Sequence, residues 1–183
     1  MPHEPEEPIL CAIDTGYRHI DCALAYGNEA EIGRALKKKL DDGTLWSDSH
    51  CLKDVRPGCE KSLRDLGLKY LDLYLVHYPM AFKVVPLPRP YVRSAIEFEN
   101  VPLEETWKGM EELVEAGLVR SIGVSNFNKA QLERILAVCK IPPAVNQVEV
   151  TVNFPNQKLL DYCSSKGIHI TAFSPFGCPG LIK

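Results

Sequence analysis

Asp21 and Tyr26 stand five residues apart in Gly16-Tyr-Arg-His-Ile-Asp-Cys-Ala-Leu-Ala-Tyr-Gly-Asn-Glu29, where a strand-like run gives way to a loop and then to a capped helix. A carboxylate and a phenol in such a loop are the parts of a proton-transfer site. The phenol has an ordinary pKa of about 10, so it donates poorly at neutral pH unless a nearby cation stabilises its phenolate. Further polar candidates repeat the placement. His77 closes the apolar run 70–77, Ser125 and Asn126 follow 119–124, Gln147 lies within 144–150, and Phe173 and Ser174 close 168–173.

The elements that must position these residues alternate along the chain. Five runs read as strands: 17–22, 70–77, 119–124, 144–150 and 168–173, each short, β-compatible and bounded by turn residues. Helical periodicity separates them. Leu103, Trp107, Met110 and Leu113 recur at helical spacing before Gly117, and Asn128 with Gln131 forms a capping-box pattern before Leu132, Ile135 and Leu136. Leu159, Leu160 and Cys163 precede Gly167; Asn28 with Glu31 opens a helix through Ile32, Ala35, Leu36 and Leu40; and Val55, Cys59, Leu63 and Leu66 precede Gly67.

Strand and helix in alternation mean a mostly parallel sheet with helices on its faces, and the pattern alone leaves barrel and doubly wound sheet open. No G-x-G-x-x-G follows a strand, which removes support for a Rossmann dinucleotide site. A (β/α)8 barrel is the better reading. Its active site gathers at the C-terminal ends of the strands, where every polar candidate here falls, so one shared pocket is expected. Such barrels run to about 250 residues, whereas this chain has 183 and shows five strands.

Composition narrows the partners. The chain is 45% apolar and 25% charged with net charge -3, as expected of one soluble globular domain spanning 1–183. The longest basic run is Lys37 to Lys39, so no electrostatic footprint for nucleic acid or an anionic membrane is present. No stretch approaches the roughly 20 apolar residues of a membrane span, and the N-terminus is acidic and proline-rich. Seven cysteines without a C-x-x-C pair, most within apolar runs, suit a reducing, cytoplasmic setting.

Gly16-Tyr-Arg-His-Ile-Asp21 with Tyr26-Gly-Asn-Glu29, His77-Tyr-Pro79 and Ile122-Gly-Val-Ser-Asn-Phe127 closely resemble signatures of the aldo-keto reductases, from about Ala12 to about Cys178. The resemblance implies a nicotinamide-dependent carbonyl reductase using NADP (NADPH) on a (β/α)8 barrel, mostly monomeric, acting on a small-molecule aldehyde or ketone. It implies that Tyr26 donates the proton, His77 orients the carbonyl and Asp21 supports the tyrosine. Ser125, Asn126 and Gln147 would bind the nicotinamide carboxamide, Phe173 would stack on its ring, and Ser174 would join the cofactor site.

The chain also departs from that pattern. The family's catalytic lysine precedes a Leu-Trp pair on the third strand, whereas here Thr44 precedes Leu45-Trp46 directly after Asp41-Asp-Gly. An internal deletion near 43–44 is therefore expected, with strands 1, 3 and 8 of the barrel lacking and Lys53 a poor substitute for the lysine. The alternative reading is an inactive splice form, truncated gene model or pseudoenzyme that at most binds partners, with exposed strand edges promoting association. Residues 80–102, with four prolines, read as a substrate-covering loop or an exposed tether. Taken singly, Asp21 reads as a solvated loop carboxylate, His77 as a satisfied core histidine, and Gln147 as an amide awaiting a partner from another loop.

Overall fold

The computed structural model of the chain describes residues 6–39, 52–82 and 98–177. The expectations placed on Thr44, Leu45-Trp46 and most of the 80–102 connection lie outside those residues. Among the described residues seven stretches are helical: α1 (Glu6–Asp14), a 3-10 turn (Leu24–Tyr26), α2 (Glu29–Lys39), α3 (Leu52–Leu66), α4 (Leu103–Glu115), α5 (Lys129–Leu136) and α6 (Gln157–Ser165). The strands are β1 (Leu71–Val76), β2 (Ala81–Phe82), β3 (Phe98–Glu99), β4 (Val119–Ser125), β5 (Val145–Glu149) and β6 (His169–Phe173).

β1, β4, β5 and β6 form one parallel sheet in that order, while β2 and β3 pair antiparallel at the base of the 80–102 connection. The order is monotonic, each strand laid beside its predecessor with a helix between. A doubly wound sheet would reverse direction at a switch point. An arc of a barrel is what the described strands make, and this resolves the alternative that the hydrophobic pattern left open.

One turn builds most of the helix-to-strand joints. α3, α4 and α6 each end on a left-handed glycine, Gly67, Gly117 and Gly167, at φ 71°, 69° and 72°. In each case the next residue reaches back five positions: Leu68 N–H to Leu63 O at 2.9 Å, Leu118 to Leu113 at 3.0 Å, Ile168 to Cys163 at 2.9 Å. This satisfies the last helical carbonyls and aims the chain into the sheet. α5 starts on the expected capping box, Asn128 and Gln131 exchanging bonds at 3.0 Å in both directions.

The core lies between the sheet and its helices. Tyr74, Ile122, Trp107, Met110, Leu113, Leu132 and Ile135 are at most 1% exposed, and each such aliphatic side chain contributes roughly 1.5–3 kcal/mol by leaving water. Trp107 Nε1–H donates to Ile141 O at 3.0 Å, so its one polar group is satisfied. Cys22, Cys59 and Cys163 are buried in the same cluster and no described cysteine is in a disulfide. Burial, with the neighbouring Glu60 charge adding to it, pushes the Cys59 thiol up to about 12, as fits a small hydrophobe instead of a reactive group.

One local expectation, the strand over 17–22, needs correction. Residues 17–23 enter no strand, although α1 ends in the same turn, with Gly16 at φ 102° and Tyr17 N–H bonded to Ala12 O at 2.9 Å. Arg18 Nη1 instead donates to the carbonyls of Ile13 and Tyr17 at 2.9 and 2.8 Å, tying the segment back onto the end of α1. The acidic, proline-rich N-terminus becomes helical at Glu6. Pro8 falls in the first turn of α1, where a missing N–H costs nothing because no helical acceptor precedes it.

Candidate active site

Strand register brings the candidates to one end of the sheet. Ser125 stands opposite Gln147, and Gln147 opposite Thr171, while Phe173 lies one pleat further on, opposite Glu149. Residues two apart on a strand share a face, so Gln147, Thr171 and Phe173 belong to the same concave side. Asn146, on the opposite face of β5, is fully buried.

Tyr26 ends the 3-10 turn, which Gly27 closes at φ 67° by donating its N–H to Leu24 O. The ring is 60% exposed and meets the His77 imidazole edge-on, with centroids 6.4 Å apart and planes at 89°. His77 also stacks on Tyr78, at 5.1 Å and 19°. The backbone oxygen of His77 accepts from Asn126 Nδ2 at 2.8 Å.

Among the described residues Asn126 is one of three non-glycine residues at positive φ, and Ser174, another, also directly follows a sheet strand at this mouth. Their φ values are 63° and 48°. Asn tolerates that region better than most side chains, and such conformations gather at functional sites where the surroundings enforce them. Enforcement here comes from β5. Asn126 N–H and Ser125 Oγ both donate to Gln147 O, at 2.9 and 2.8 Å, and Asn126 Nδ2 donates a second time, to Ser125 Oγ at 3.1 Å. Ser125 is buried and its hydroxyl is committed on both sides, so it stands behind Asn126 as a support.

Gln147 finds the partner that its position required. Its Nε2 donates to Asp21 Oδ2 at 2.9 Å, across 126 residues of sequence. The contacts therefore run Tyr26, His77, Asn126, Ser125, Gln147, Asp21, and the loop 21–26 closes them into a ring. Phe173 and Ser174 share the mouth from the adjacent strand without joining these hydrogen bonds.

Two positions passed over in the sequence, Asn146 and Thr171, belong to this end of the sheet, and Glu29 supports the loop beside it. Asn146 Nδ2 donates to Phe127 O at 3.0 Å and its Oδ1 accepts from Phe127 N–H at 3.4 Å, clamping the turn that holds Ser125 and Asn126. Thr171 occupies the row of Gln147. Glu29, 3% exposed, accepts from buried Ser62 Oγ at 3.0 Å and so anchors the start of α2, three residues after Tyr26, to α3. Only strand offset and helix pairing reveal these roles, and neither is written in local sequence.

Among the described residues no group of three His, Cys, Asp or Glu side chains stands close enough to hold a metal ion, and no helix is long and apolar enough to cross a membrane.

Known proteins resemble the chain over nearly all of its length. The family model described as "Aldo/keto reductase family" matches residues 4–183, a longer stretch than the 12–178 of the signature resemblance. Aldo-keto reductase family 1 member A1-A of Danio rerio is 41% identical over 194 residues, covering 97% of this chain and 59% of the relative. Aldo-keto reductase family 1 member A1 of Homo sapiens is 41% identical over 189 residues, with 96% and 58% covered. The solved aldose reductase of Schistosoma japonicum superposes with a TM-score of 0.86 at 43% identity, over 94% of this chain and 61% of that one. That of Giardia lamblia gives 0.88 at 38% identity, over 97% and 63%. The chain thus spans about three-fifths of the length of the relatives it matches, and its parallel arc corresponds to part of a (β/α)8 barrel. With the family match running over nearly all of its length, the chain belongs to the aldo/keto reductase family.

Proposed function

We propose that the chain carries an NADPH-dependent carbonyl-reductase site, converting an aldehyde or ketone to an alcohol. The observation that carries the reading is the closed ring of contacts from Tyr26 through His77, Asn126, Ser125 and Gln147 to Asp21. Reduction of a carbonyl adds a hydride to carbon and a proton to oxygen, and NADPH, when bound, supplies the hydride. Tyr26 donates the proton from its hydroxyl, and His77, held beside it, orients the carbonyl oxygen.

The residues present fit the nicotinamide end of the cofactor. Both Nδ2 hydrogens of Asn126 are engaged within the protein, so its Oδ1 retains acceptor capacity, and Gln147 retains Oε1 and the second Nε2 hydrogen. A primary carboxamide offers two donors and one acceptor, which complements this set. Ser125 holds Asn126, Phe173 offers a ring face at the same mouth, and Ser174 shapes the backbone beside it. NADP, in preference to NAD, follows from the family, as does a cytoplasmic setting.

A second reading, nucleotide binding without turnover, is favoured by one feature. Asp21, which the resemblance makes the support of the tyrosine, is bonded to an amide, and Thr44 stands where the resemblance puts the catalytic lysine. We take the chain to be a single unit shortened by an internal deletion near 43–44. Alignment with the Danio rerio relative over 194 residues, against 183 in the chain, supports a segment present there and absent here.

Fluorescence quenching by NADPH and consumption of NADPH with a generic aldehyde separate the two. Quenching with turnover supports the reductase; quenching alone leaves the binding reading; absence of both removes both. Thr44→Lys is expected not to raise turnover, because a cation needs a strand to aim it, and a recovered rate would overturn the deletion account.

A further inference from the structure

Hydrogen-bond chemistry fixes which way Gln147 faces, and the inference drawn from it rests on the nicotinamide reading above. Gln147 Nε2 donates to Asp21 Oδ2 at 2.9 Å. A carboxylate has acceptors only, so turning the amide over would set two oxygens against each other. Gln147 Oε1 is therefore held away from Asp21. Asn126 obeys the same constraint: its Nδ2 spans His77 O at 2.8 Å, an acceptor with no alternative role, and Ser125 Oγ at 3.1 Å. The hydroxyl hydrogen of Ser125 is already spent on Gln147 O at 2.8 Å. The inward faces of both amides consume donors; Asn126 is left presenting Oδ1, and Gln147 presents Oε1 beside its second Nε2 hydrogen.

We propose that Asp21 is a positioning residue that locks Gln147 in this flip and thereby makes the mouth select a primary carboxamide over a carboxylate. A nicotinamide dinucleotide gives its amide hydrogens to Asn126 Oδ1 and Gln147 Oε1. The counterpart dinucleotide carrying a carboxylate at the same ring position sets its own oxygens against theirs, and unpaired buried acceptors are costly. Asp21 on this account serves recognition through Gln147 and touches no reacting atom.

The test is isothermal titration of the full 183-residue chain with NADP+ and with its nicotinic-acid counterpart. The wild-type chain is expected to bind the amide form at least about ten-fold more tightly, the equivalent of one hydrogen bond. Asp21→Asn, whose side chain both donates and accepts, frees the flip and is expected to bring the two affinities within about three-fold. Asp21→Ser, too short to hold Gln147, is expected to do the same. Repulsion of the acid by the Asp21 charge would mimic this, so the substitution is repeated in a Gln147→Met background. There Asp21→Asn is expected to leave the ratio unchanged; a continued fall in the ratio assigns selectivity to charge and overturns the proposal. Selectivity that survives Asp21→Asn in the wild-type background overturns it as well, leaving the nicotinamide reading intact. If neither dinucleotide binds the wild-type chain, the nicotinamide reading itself fails and takes this inference with it.

Discussion

Asn146 carries more of the mouth than its buried, unremarked position suggests. Its single side-chain amide answers both backbone groups of Phe127, which is itself 1% exposed, so no water can replace the lost partner. Truncation to alanine leaves a buried N–H and a buried C=O unsatisfied. Asn146→Ala is expected to lower unfolding free energy by about 1–3 kcal/mol and to weaken NADPH quenching, because the turn it clamps contains Ser125 and Asn126. Denaturant titration checks the first effect, and an unchanged midpoint would show that the clamp contributes nothing. The contrast with Gln147 explains what could be read at this scale. Gln147, Ser125 and Asn126 stand out because polar side chains at strand ends need a use, and His77 and Asp21 because they lie in recognisable signatures. Asn146 has no such mark, since its purpose is set by the backbone of a residue 19 positions away.

At the scale of elements, Gly123 sets how closely β4 approaches its neighbours. A Cβ built there falls 2.7 Å from both Leu75 Cδ2 on β1 and Val145 O on β5. The leucine end can shift; the carbonyl of a laddered strand cannot. Gly123→Ala is therefore expected to destabilise by about 1–3 kcal/mol through overpacking, against the gain of a few tenths or more that Gly→Ala gives at an unstrained site. Calorimetry showing an equal or higher melting temperature would refute the close approach. Between α4 and α5, Arg134 grips Glu104 through Nε and Nη2, both at 2.8 Å. That hydrogen-bonded pair holds the Glu104 carboxyl below its ordinary range. A carboxyl lowered in the folded state stabilises above its unfolded pKa and loses that contribution as pH falls through the folded one. Glu104→Gln is thus expected to melt lower than wild type near neutrality, with the gap closing below about pH 4. The helices themselves were legible because caps and C-terminal glycines are local: Asn128 with Gln131, Gly67, Gly117 and Gly167 act as their sequence implies. Residues 17–22 carry the same preceding turn and a strand-like composition, yet a strand exists only where a ladder forms, and Arg18 binds this segment to α1 instead.

For the molecule as a whole, the sheet order leaves β1 and β6 at the edges among the described residues. They differ in protection. Along β1, Leu71, Leu73, Tyr74, Leu75 and Val76 are at most 4% exposed, and Asp72 pairs with Arg120 at 3.0 Å. β6 reads His-Ile-Thr-Ala-Phe, with His169 and Ala172 exposed and no lysine, glutamate or proline to discourage pairing. The segments after β5 and β6 add apolar surface, Val152 at 91% and Phe176 at 96% exposure. Edges of this kind pair with other chains unless charge or a covering element prevents it. Light scattering on a sizing column is therefore expected to show mass rising with loading concentration. Ala172→Lys places a charge on an exposed edge position where no core contact is lost, so it should reduce the association while leaving the melting temperature unchanged. A mass independent of concentration in the wild-type chain would mean that the β6 edge is covered, and would point to a partner for it within the 183 residues themselves.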